Sequence, residues 1–298
     1  MKTLLFTGSS GFVGSNILLK LKEKYFIDTL DFSDLSTYTI NLADQVPSLN
    51  KQYDIVLHAA GKAHCKHSIS KENKIFYDVN YQGTRNLCLG LENAGLPRSF
   101  IFISTVAVYG CNTGETITED HPLNEKAHYG RSKIQAEEFL LEWCERKKVS
   151  MIVIRPSLLA GKNPPGNLGA MIKGIASGKY IRIADGMAKK SIAMAEDIGR
   201  LVPYCVGKSG IYNLCDDYHP SFRELEELIC KQLNRPLPLS IPIQAAKFLA
   251  RIGDFLNLTA INSNTVLKMT QSLTFSNERI KNELNFIPSN VLTSFKII

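Results

Sequence analysis

The stretch "LLFTGSSGFVGSNI", residues Leu4 to Ile17, decides the fold. An apolar, strand-like run turns through Gly8, Gly11 and Gly14 into an amphipathic, helix-like segment. Gly8 permits a sharp turn, Gly11 lets the backbone approach phosphate oxygens, and Gly14 permits close packing of the helix on the strand. The helix N-terminus adds free N–H donors and partial positive charge. The stretch predicts a dinucleotide-binding turn, although the glycine spacing alone also suits an ordinary tight turn.

A carboxylate further along the chain favours the dinucleotide. Asp31 ends the second predicted strand, 23 residues after Gly8, where it can accept hydrogen bonds from an adenosine ribose. Its negative charge repels a 2′-phosphate, and no arginine stands beside it in the sequence. The sequence therefore predicts NAD as the cofactor and disfavours NADP.

Strand-like and helix-like runs alternate over the first half of the chain. The expected strands are Leu4–Thr7, Phe26–Asp31, Ile55–His58, Phe100–Ser104 and Met151–Arg155. Between them, Val13, Ile17, Leu18 and Leu21 share one helical face, and a second helix begins near Tyr129. This alternation predicts an α/β fold with a Rossmann-type, doubly wound parallel sheet.

The second half has shorter elements. The stretch "GKNPPGN", Gly161–Asn167, is predicted to be a loop because it is rich in turn formers. Helices near residues 168–177, 222–233 and 243–256, with a strand near 211–213, predict a smaller C-terminal α/β lobe that binds the substrate. We therefore expect an NAD-binding domain over 1–160 and a substrate lobe over 161–298, with segments near 185–215 returning to the sheet.

Composition excludes several classes of protein. The net charge of +7 is spread along the 298 residues without a basic stripe, which argues against nucleic acid and suits a solvated surface or a phosphorylated substrate. Seven scattered cysteines without a CxxC pair predict reduced thiols, a cytoplasmic location and no metal site. No signal peptide or spanning segment is predicted. The stretch "IPIQAAKFLARIGDFLNL" suits an interfacial membrane helix, but packing in the core or lobe is favoured.

The stretch "YGRSK" predicts an acid–base pair. Tyr129 and Lys133 are four residues apart, so they share one face of a helix. An ammonium about 4–5 Å away stabilises tyrosinate by roughly 4 kcal/mol at an effective dielectric of about 20. That energy would lower the pKa of Tyr129 by roughly 3, so that its phenol could act as a general acid and base near neutral pH. A surface pair is the alternative, but Ser104 and Thr105 follow a strand that ends where ligands bind.

Together these motifs resemble the extended short-chain dehydrogenase/reductase family, the NAD-dependent sugar-nucleotide epimerases, dehydratases and reductases. The matching motifs are TGSSGFVG (Thr7–Gly14), VLHAAG (Val56–Gly61), VNYQGTRNL (Val79–Leu87), STVAVYG (Ser104–Gly110), YGRSK, RPSLLAG (Arg155–Gly161) and SIAMAEDIGR (Ser191–Arg200). The C-terminal stretches "FRELEELI" and "SLTFSNERIKNELNF" resemble the subgroup that acts on UDP-N-acetylhexosamines in surface-polysaccharide synthesis.

The resemblance implies a role for each matching residue. Thr105 would bind the reacting sugar oxygen, Tyr129 would exchange its proton, and Lys133 would orient the cofactor. The implied NAD contacts are Gly8, Ser10, Gly11, Phe12, Val13, Gly14, Asp31, Asn41, Leu42, Ala59, Ala60, Gly61, Asn80, Ser104, Tyr129, Lys133 and Pro156. The implied UDP-sugar contacts are Thr105, Val106, Tyr129, Asn167 (nucleotide) and Lys190 (diphosphate). A homodimer through helices near 83–94 and 129–147 is also implied.

The chain departs from the family pattern at several positions. Thr105 replaces the usual serine, Asn41 an aspartate that contacts adenine, and Ala160 the tyrosine of RPxxxYG. Lys162 replaces the proline after that motif, and Lys190 replaces an arginine, which removes a bidentate contact to phosphate.

Two residues bear on the reaction. Val106 and Ala107 stand where sugar 4,6-dehydratases carry an Asp-Glu pair, so dehydration is disfavoured. The remaining candidates are a 4-epimerase of a UDP-hexose or UDP-N-acetylhexosamine and an NAD(P)H-dependent reductase of a UDP-4-keto-hexosamine. The sequence does not separate these two. A non-catalytic nucleotide-binding regulator and an NADPH-dependent reductase of small carbonyl compounds are less favoured.

Three histidines and a lysine near the VLHAAG motif are also candidates. His58 is expected to be a strand-end residue with satisfied hydrogen bonds and not a catalyst. Lys62, His64 and His67 are expected to be solvated loop residues, with a sugar contact as the alternative.

Overall fold

Seven parallel strands form the central sheet of the computed structural model, which describes residues 1–63, 70–255 and 262–297. In chain order the strands of all the sheets in the described residues are β1 (Thr3–Thr7), β2 (Phe26–Asp31), β3 (Tyr38–Thr39), β4 (Ile55–His58), β5 (Ser99–Ile103), β6 (Gly114–Ile117), β7 (Ser150–Pro156), β8 (Leu158–Ala160), β9 (Arg182–Ile183), β10 (Ile192–Met194), β11 (Gly210–Leu214), β12 (Ser240–Ile241) and β13 (Leu273–Phe275). The central sheet has the order β11-β7-β5-β4-β1-β2-β3, which is the Rossmann-type order with its switch point between β1 and β4.

Helices connect these strands. They are α1 (Phe12–Lys22), α2 (Ser70–Tyr77), α3 (Gly83–Ala94), α4 (His128–Lys147), α5 (Gly166–Ala176), α6 (Ala195–Cys205), α7 (Phe222–Leu233), α8 (Ile243–Phe255), α9 (Ser263–Thr270), α10 (Glu278–Leu284) and α11 (Val291–Ser294). A π turn over Asp78–Gln82 joins α2 to α3, and a 3₁₀ turn over Val106–Tyr109 follows β5.

The five predicted strands all lie in the central sheet. β2 and β4 have the predicted bounds, and the ends of β1, β5 and β7 differ from prediction by one residue. Alternate side chains enter two separate cores: Leu4 and Phe6 pack with α1 and α6, whereas Leu5 packs with α3 and α4. Helices therefore cover both faces of the sheet, and the doubly wound fold is confirmed.

The second lobe contains three short pairs of parallel strands. β8 pairs with β10, β9 with β12, and β6 with β13, while α5 packs against α7. The short pairs and the central sheet alternate along the chain, since β6 precedes β7 and β11 follows β10. The division at residue 160 stays a prediction.

Two expectations about the second half need correction. The predicted loop over Gly161–Asn167 is two residues too long, since α5 begins at Gly166 directly after two prolines and Asn167 lies in its first turn. The helix near 243–256 exists as α8 and packs against α9, as favoured, but most of its large apolar side chains lie outside that packing. It buries Ala246, Ala250 and Gly253, and leaves Phe248 and Phe255 exposed.

Two further sequence expectations concern cysteines and membrane segments. The six cysteines in the described residues are free thiols, and five of them are buried. Among the same residues, no helix is both long enough and apolar enough to cross a membrane.

Candidate active site

The glycine turn joins β1 to α1 as the sequence predicts. Gly8 has a φ of +76°, and an added Cβ on it would lie 2.5 Å from the backbone nitrogen of Ala60. An added Cβ on Gly14 would lie 2.2 Å from the carbonyl oxygen of Ser9. Both contacts are too close for any side chain, so the turn is pressed between the end of β4 and the start of α1.

Gly11 differs from the other two glycines. It precedes α1 as the N-cap residue, with no side-chain hydrogen bond to the helix amides. Among the described residues, an added Cβ would meet the carbonyl oxygen of Gly8 at 3.3 Å and otherwise open space. The first amides of α1, which include those of Phe12 and Val13, are therefore free to bind an anionic group.

Asp31 lies beside this turn at the end of β2. Its Oδ2 accepts hydrogen bonds from the backbone N–H of Ser10 at 2.8 Å and from the Ser10 hydroxyl at 2.7 Å. Its Oδ1 accepts from the backbone N–H of Phe32 at 2.8 Å, and the side chain is 5% exposed. The predicted ribose ligand and the predicted phosphate turn are thus neighbours, and together they fit a dinucleotide such as NAD.

The predicted adenine contacts are also placed near β3. Asn41 is exposed and its side-chain amide donates to Asp44. Leu42 is buried, and its carbonyl accepts from the side-chain amide of Asn86 at 2.7 Å. The role of Asn41 and Leu42 toward the cofactor stays a prediction.

Thr105, Tyr129 and Lys133 meet at the carboxyl end of β5. Thr105 follows that strand and accepts a hydrogen bond from the backbone N–H of Ala107 at 3.1 Å, and its side chain lies near enough to Tyr129 to oppose the rise in the Tyr129 pKa. Tyr129 and Lys133 lie in successive turns of α4, as their spacing predicts. The Lys133 ammonium donates to the carbonyl of Ile103 at 2.8 Å. The structure therefore brings the predicted catalytic trio together.

The electrostatics of Tyr129 differ from the expectation. Burial raises the pKa of Tyr129 above its ordinary value, and the hydrogen bond with Thr105 opposes that rise. The predicted lowering by Lys133 is wrong for this arrangement, because that ammonium is directed at Ile103 and lies 4.5 Å from the centre of the Phe102 ring. Burial lowers the pKa of Lys133 to about 8, and the nearby carboxylate of Glu137 opposes that fall.

Asn80 holds the end of β4 against the catalytic helix. Its side chain accepts from the backbone N–H of Lys62 at 2.7 Å and donates to the carbonyl of the same residue at 3.0 Å. It also donates to the hydroxyl of Ser132 at 2.9 Å, and that hydroxyl donates to the carbonyl of Tyr129 at 2.7 Å. The π turn that contains Asn80 is a local irregularity of the kind often found at functional sites.

Gly61 lies at the centre of this arrangement. An added Cβ on Gly61 would be 3.1 Å from the Asn80 side-chain oxygen and 3.2 Å from the Lys133 ammonium. Ala59, which precedes Gly61 in the VLHAAG motif, is held against β1, because its backbone N–H donates to the carbonyl of Thr7 at 3.1 Å. Gly61, Asn80 and Lys133, three of the predicted NAD contacts, are therefore neighbours.

A buried ion pair behind the trio was not predicted. Arg155 donates two hydrogen bonds to Glu137 Oε2, at 2.6 and 3.2 Å, and both side chains are fully enclosed. Arg155 also donates to the hydroxyl of Tyr109 at 3.1 Å, and the Ser104 hydroxyl donates to Glu137. The hydroxyl of Ser104, predicted to contact NAD, is thus directed into the protein. The following residue, Pro156, ends β7 and is buried.

The predicted substrate contacts occupy three places. Val106 begins the 3₁₀ turn after Thr105 and is partly buried. Asn167 is exposed on α5. The Lys190 ammonium donates to the carbonyl of Gln271 at 3.0 Å, and its pKa is lowered to about 8 by burial and by the nearby charge of Lys268. A cation held partly desolvated in this way is suited to a phosphate group.

The prediction that His58 is a satisfied strand-end residue is confirmed. Its two ring nitrogens lie 2.6 Å from the Thr7 hydroxyl and 2.8 Å from the Thr84 hydroxyl. Burial lowers the pKa of His58 to about 3, so it stays neutral at physiological pH. Lys62 is exposed, and His64 and His67 lie outside the described residues.

Known proteins resemble this chain over most of its length. The model of the NAD dependent epimerase/dehydratase family matches residues 4–215. The N-acetyl-alpha-D-glucosaminyl-diphospho-ditrans,octacis-undecaprenol 4-epimerase of Escherichia coli O157:H7 is 32% identical over 248 residues, which cover 79% of this chain and 73% of that protein. The UDP-glucose 4-epimerase of Vibrio cholerae is 25% identical, with 98% and 92% of the two chains covered.

A solved structure supports the fold independently. The UDP-glucuronic acid 4-epimerase from Bacillus cereus in complex with NAD superposes with a TM-score of 0.75, covering 98% of this chain and 93% of that one. At 15% identity this likeness concerns the fold alone.

The sheet order, the glycine turn and Asp31 define a Rossmann-type dinucleotide-binding enzyme. With the match over residues 4–215, the chain belongs to the NAD dependent epimerase/dehydratase family. The family dependence on NAD agrees with the cofactor predicted from Asp31.

Proposed function

We propose that the protein is an NAD-dependent 4-epimerase of a hexose or N-acetylhexosamine that is joined to a diphosphate. The observation that carries this proposal is the meeting of Thr105, Tyr129 and Lys133 beside the glycine turn. The two relatives described above, at 32% and 25% identity, are both named as 4-epimerases of sugars carried on a diphosphate.

The chain's own groups handle the proton of the sugar hydroxyl. Thr105 holds that oxygen by a hydrogen bond, and Tyr129 accepts its proton in the oxidation and returns it in the reduction. Because burial raises the pKa of Tyr129, its phenol is a weaker acid than a tyrosine in water. Tyr129 must be in its tyrosinate form to accept the proton, and with NAD bound a Lys133 ammonium turned from the Ile103 carbonyl toward the site would stabilise that form.

Several residues would hold NAD, which when bound supplies the hydride acceptor and donor. The free amides of α1 would bind its pyrophosphate, and Asp31 would accept hydrogen bonds from its adenosine ribose. Gly61, Asn80 and Lys133 lie together at the other side of the turn and would line its nicotinamide half. The hydrogen bonds of Asn80 keep this group of residues in place.

Val106 and Ala107 support epimerisation over dehydration. Elimination of water from a sugar requires further acid and base groups beside the catalytic threonine. Both residues at those positions are apolar, and they form the first turn after Thr105. With NAD as hydride acceptor and donor, the trio would suffice for oxidation and re-reduction of one carbon, which is the chemistry of an epimerase.

Lys190 and Asn167 are the proposed contacts to the rest of the substrate. The partly buried ammonium of Lys190 would bind the diphosphate, and Asn167 on α5 would contact the group beyond it. A diphosphate is the chemistry shared by the UDP-linked and the polyprenol-linked substrates of the two named relatives.

We also propose a cytoplasmic homodimer that forms through α3 and α4. These helices pack together in the described chain, and each leaves a large apolar side chain exposed, Leu89 on α3 and Leu141 on α4. Sedimentation equilibrium of the wild-type protein is expected to give a dimer mass, and Leu89→Arg is expected to reduce it. A monomeric mass for the wild-type protein contradicts the dimer.

A substrate panel tests the proposed reaction. The purified protein with NAD is incubated with UDP-glucose, UDP-N-acetylglucosamine and polyprenyl diphospho-N-acetylglucosamine. Formation of the 4-epimer without net change in NADH supports the proposal. A parallel incubation contains NADH and a UDP-4-keto-N-acetylhexosamine, and loss of one NADH per keto sugar without epimerisation of the panel identifies a reductase. No reaction with any of the three panel sugars contradicts the proposal.

A further inference from the structure

Helix α8 presents two apolar stripes on opposite sides. The buried stripe consists of small residues, Ala246, Ala250 and Gly253, which pack against Val266 of α9. Successive residues in an α-helix are about 100° apart, so a second stripe two positions later lies about 200° around the axis. That second stripe is Phe248, Ile252 and Phe255, with the same spacing of four and then three residues.

The second stripe is exposed and is larger than the buried one. Phe248 is 65% exposed and Phe255 is 86% exposed, with Leu249 and Ile252 partly uncovered beside them. A helix that buries alanine and glycine while exposing phenylalanine reverses the usual arrangement of a surface helix. Contiguous exposed apolar surface of this kind marks an interaction site.

The charges beside the stripe favour an anionic lipid surface. Lys247 and Arg251 are four residues apart, so they form one row between the buried and exposed stripes. The acidic residue of α8, Asp254, accepts hydrogen bonds from the backbone and hydroxyl of Ser263 and is engaged within the protein. Long basic side chains flanking large apolar ones are typical of helices that lie in the plane of a membrane interface.

Helix α8, which carries the exposed stripe, packs on the helix that precedes the hydrogen-bond partner of Lys190. α8 packs on α9 through Ala246, Ala250 and Val266. Directly after α9, the carbonyl of Gln271 accepts the hydrogen bond of the Lys190 ammonium. The helix α9 thus joins α8 to the segment that holds the proposed diphosphate contact.

We infer that α8 docks the enzyme on an anionic membrane surface, so that the diphosphate of a lipid-linked sugar reaches Lys190 while its hydrocarbon chain stays in the bilayer. This inference rests on the proposed function for its substrate but not for its membrane contact. The occupant of the stripe is the lipid interface, into which Phe248, Ile252 and Phe255 insert, while Lys247 and Arg251 bind the headgroups.

Vesicle flotation with the NAD-loaded full chain tests the docking directly. The wild-type protein is expected to float with vesicles of phosphatidylcholine containing phosphatidylglycerol, and to bind pure phosphatidylcholine more weakly. Phe248→Ser with Phe255→Ser should lose binding to both kinds of vesicle. Lys247→Glu with Arg251→Glu should weaken binding to the anionic vesicles by about 10-fold or more, because each basic residue contributes about 1 kcal/mol at such a surface.

A matched control and a second readout keep the outcomes distinct. Leu19→Ser with Ile287→Ser removes two apolar side chains of similar exposure elsewhere and should leave flotation unchanged. The Phe248/Phe255 variant should lose turnover of polyprenyl diphospho-N-acetylglucosamine in vesicles, and its rate on water-soluble UDP-N-acetylglucosamine should match that of wild type.

Two results would overturn the inference. One is failure of the wild-type protein to bind either vesicle while it epimerises a sugar diphosphate, which leaves the proposed function standing. The other is a fall in molecular mass of the Phe248/Phe255 variant with no wild-type flotation, which identifies the stripe as a contact between chains. Flotation without epimerisation of any sugar supports the docking and contradicts the proposed function.

Discussion

The catalytic edge of the central sheet and the α8–α9 pair handle polar and apolar groups in opposite ways. At the sheet edge, charged and polar side chains are buried in pairs, such as Glu137 with Arg155 and Asn80 with Ser132. On α8, large apolar side chains face outward and small ones face the protein. Burial without partners is costly for ions, and exposure is costly for apolar surface. The first region is therefore complete within one chain, whereas the second acquires its partner from outside.

The largest effect is expected at the catalytic edge. Tyr129→Phe removes the phenol proposed to exchange the proton of the sugar hydroxyl, so turnover should fall by roughly 10³- to 10⁴-fold. NAD binding, measured by fluorescence titration, should stay within a factor of about 3, since the ring still fills its place. Tyr204→Phe, at a partly exposed tyrosine of α6, is the control and should keep full activity. Comparable turnover of the two variants would show that Tyr129 is not the acid–base group.

The buried ion pair should be the next most sensitive feature. Glu137→Gln leaves the Arg155 guanidinium buried without its counter-charge, which should lower the free energy of unfolding by about 3 kcal/mol or more. Glu138→Gln changes the neighbouring exposed residue of α4 and should alter stability by less than about 0.5 kcal/mol. The free energies of unfolding of both variants are measured by urea titration. Equal unfolding midpoints would mean that the Glu137–Arg155 pair contributes nothing to stability.

The same substitution predicts a change in pH dependence. The Glu137 carboxylate raises the pKa of Lys133, which burial lowers to about 8. Its removal should move that pKa further below 8, so that the ammonium loses its proton at a lower pH. The alkaline limb of the kcat/KM profile should then shift to lower pH in Glu137→Gln and stay in place in Glu138→Gln. A shift to higher pH is incompatible with this assignment.

A smaller effect is expected from the glycine turn. Gly8→Ala combines a left-handed φ with a 2.5 Å contact to Ala60, and should cost about 2–3 kcal/mol of stability and most of the affinity for NAD. Gly178→Ala has a similar φ of +70° but nothing within 4 Å of the added Cβ among the described residues, so it should cost only about 1 kcal/mol. Thermal unfolding separates the two, and a Gly8 variant as stable as the Gly178 variant would show that the contact relaxes freely.

The mildest effect is expected at the junction between the two regions. Lys190→Gln removes one charged contact to the proposed diphosphate, so KM should rise by about 10-fold, with kcat changed much less. Lys189→Gln, at the adjacent exposed lysine, serves as the matched control and should leave KM near the wild-type value. An unchanged KM in the Lys190 variant would remove this residue from the substrate site.

The two regions also differ in how far the sequence predicts them. Apolar runs and the glycine turn predict five strands of the central sheet to within one residue, because buried parallel strands have few alternatives, whereas the two-residue edge strand β3 was not predicted. The same reasoning fails on α8, because both stripes are apolar with identical spacing, and periodicity does not say which one the protein covers.

Electrostatic detail at the site is predicted least well. The spacing of Tyr129 and Lys133 places them on one helix face, but only the folded structure shows that the ammonium is directed at Ile103. The buried ion pair of Glu137 and Arg155 was not predicted from the sequence, although the positions of both residues hint at burial. Arg155 ends an apolar strand, and Glu137 continues the buried row of Lys133 at a spacing of four.

The fate of the hydrogen on the fourth sugar carbon tests the central claim most directly. UDP-N-acetylglucosamine and polyprenyl diphospho-N-acetylglucosamine, each labelled with deuterium at that carbon, are incubated with the NAD-loaded protein, and the products are examined by mass spectrometry and NMR. The account predicts a 4-epimer that keeps its deuterium, gains none of the solvent's hydrogen at that carbon, and forms with no net NADH. A product that exchanges this hydrogen with solvent, or that forms only while NADH is consumed, would contradict it.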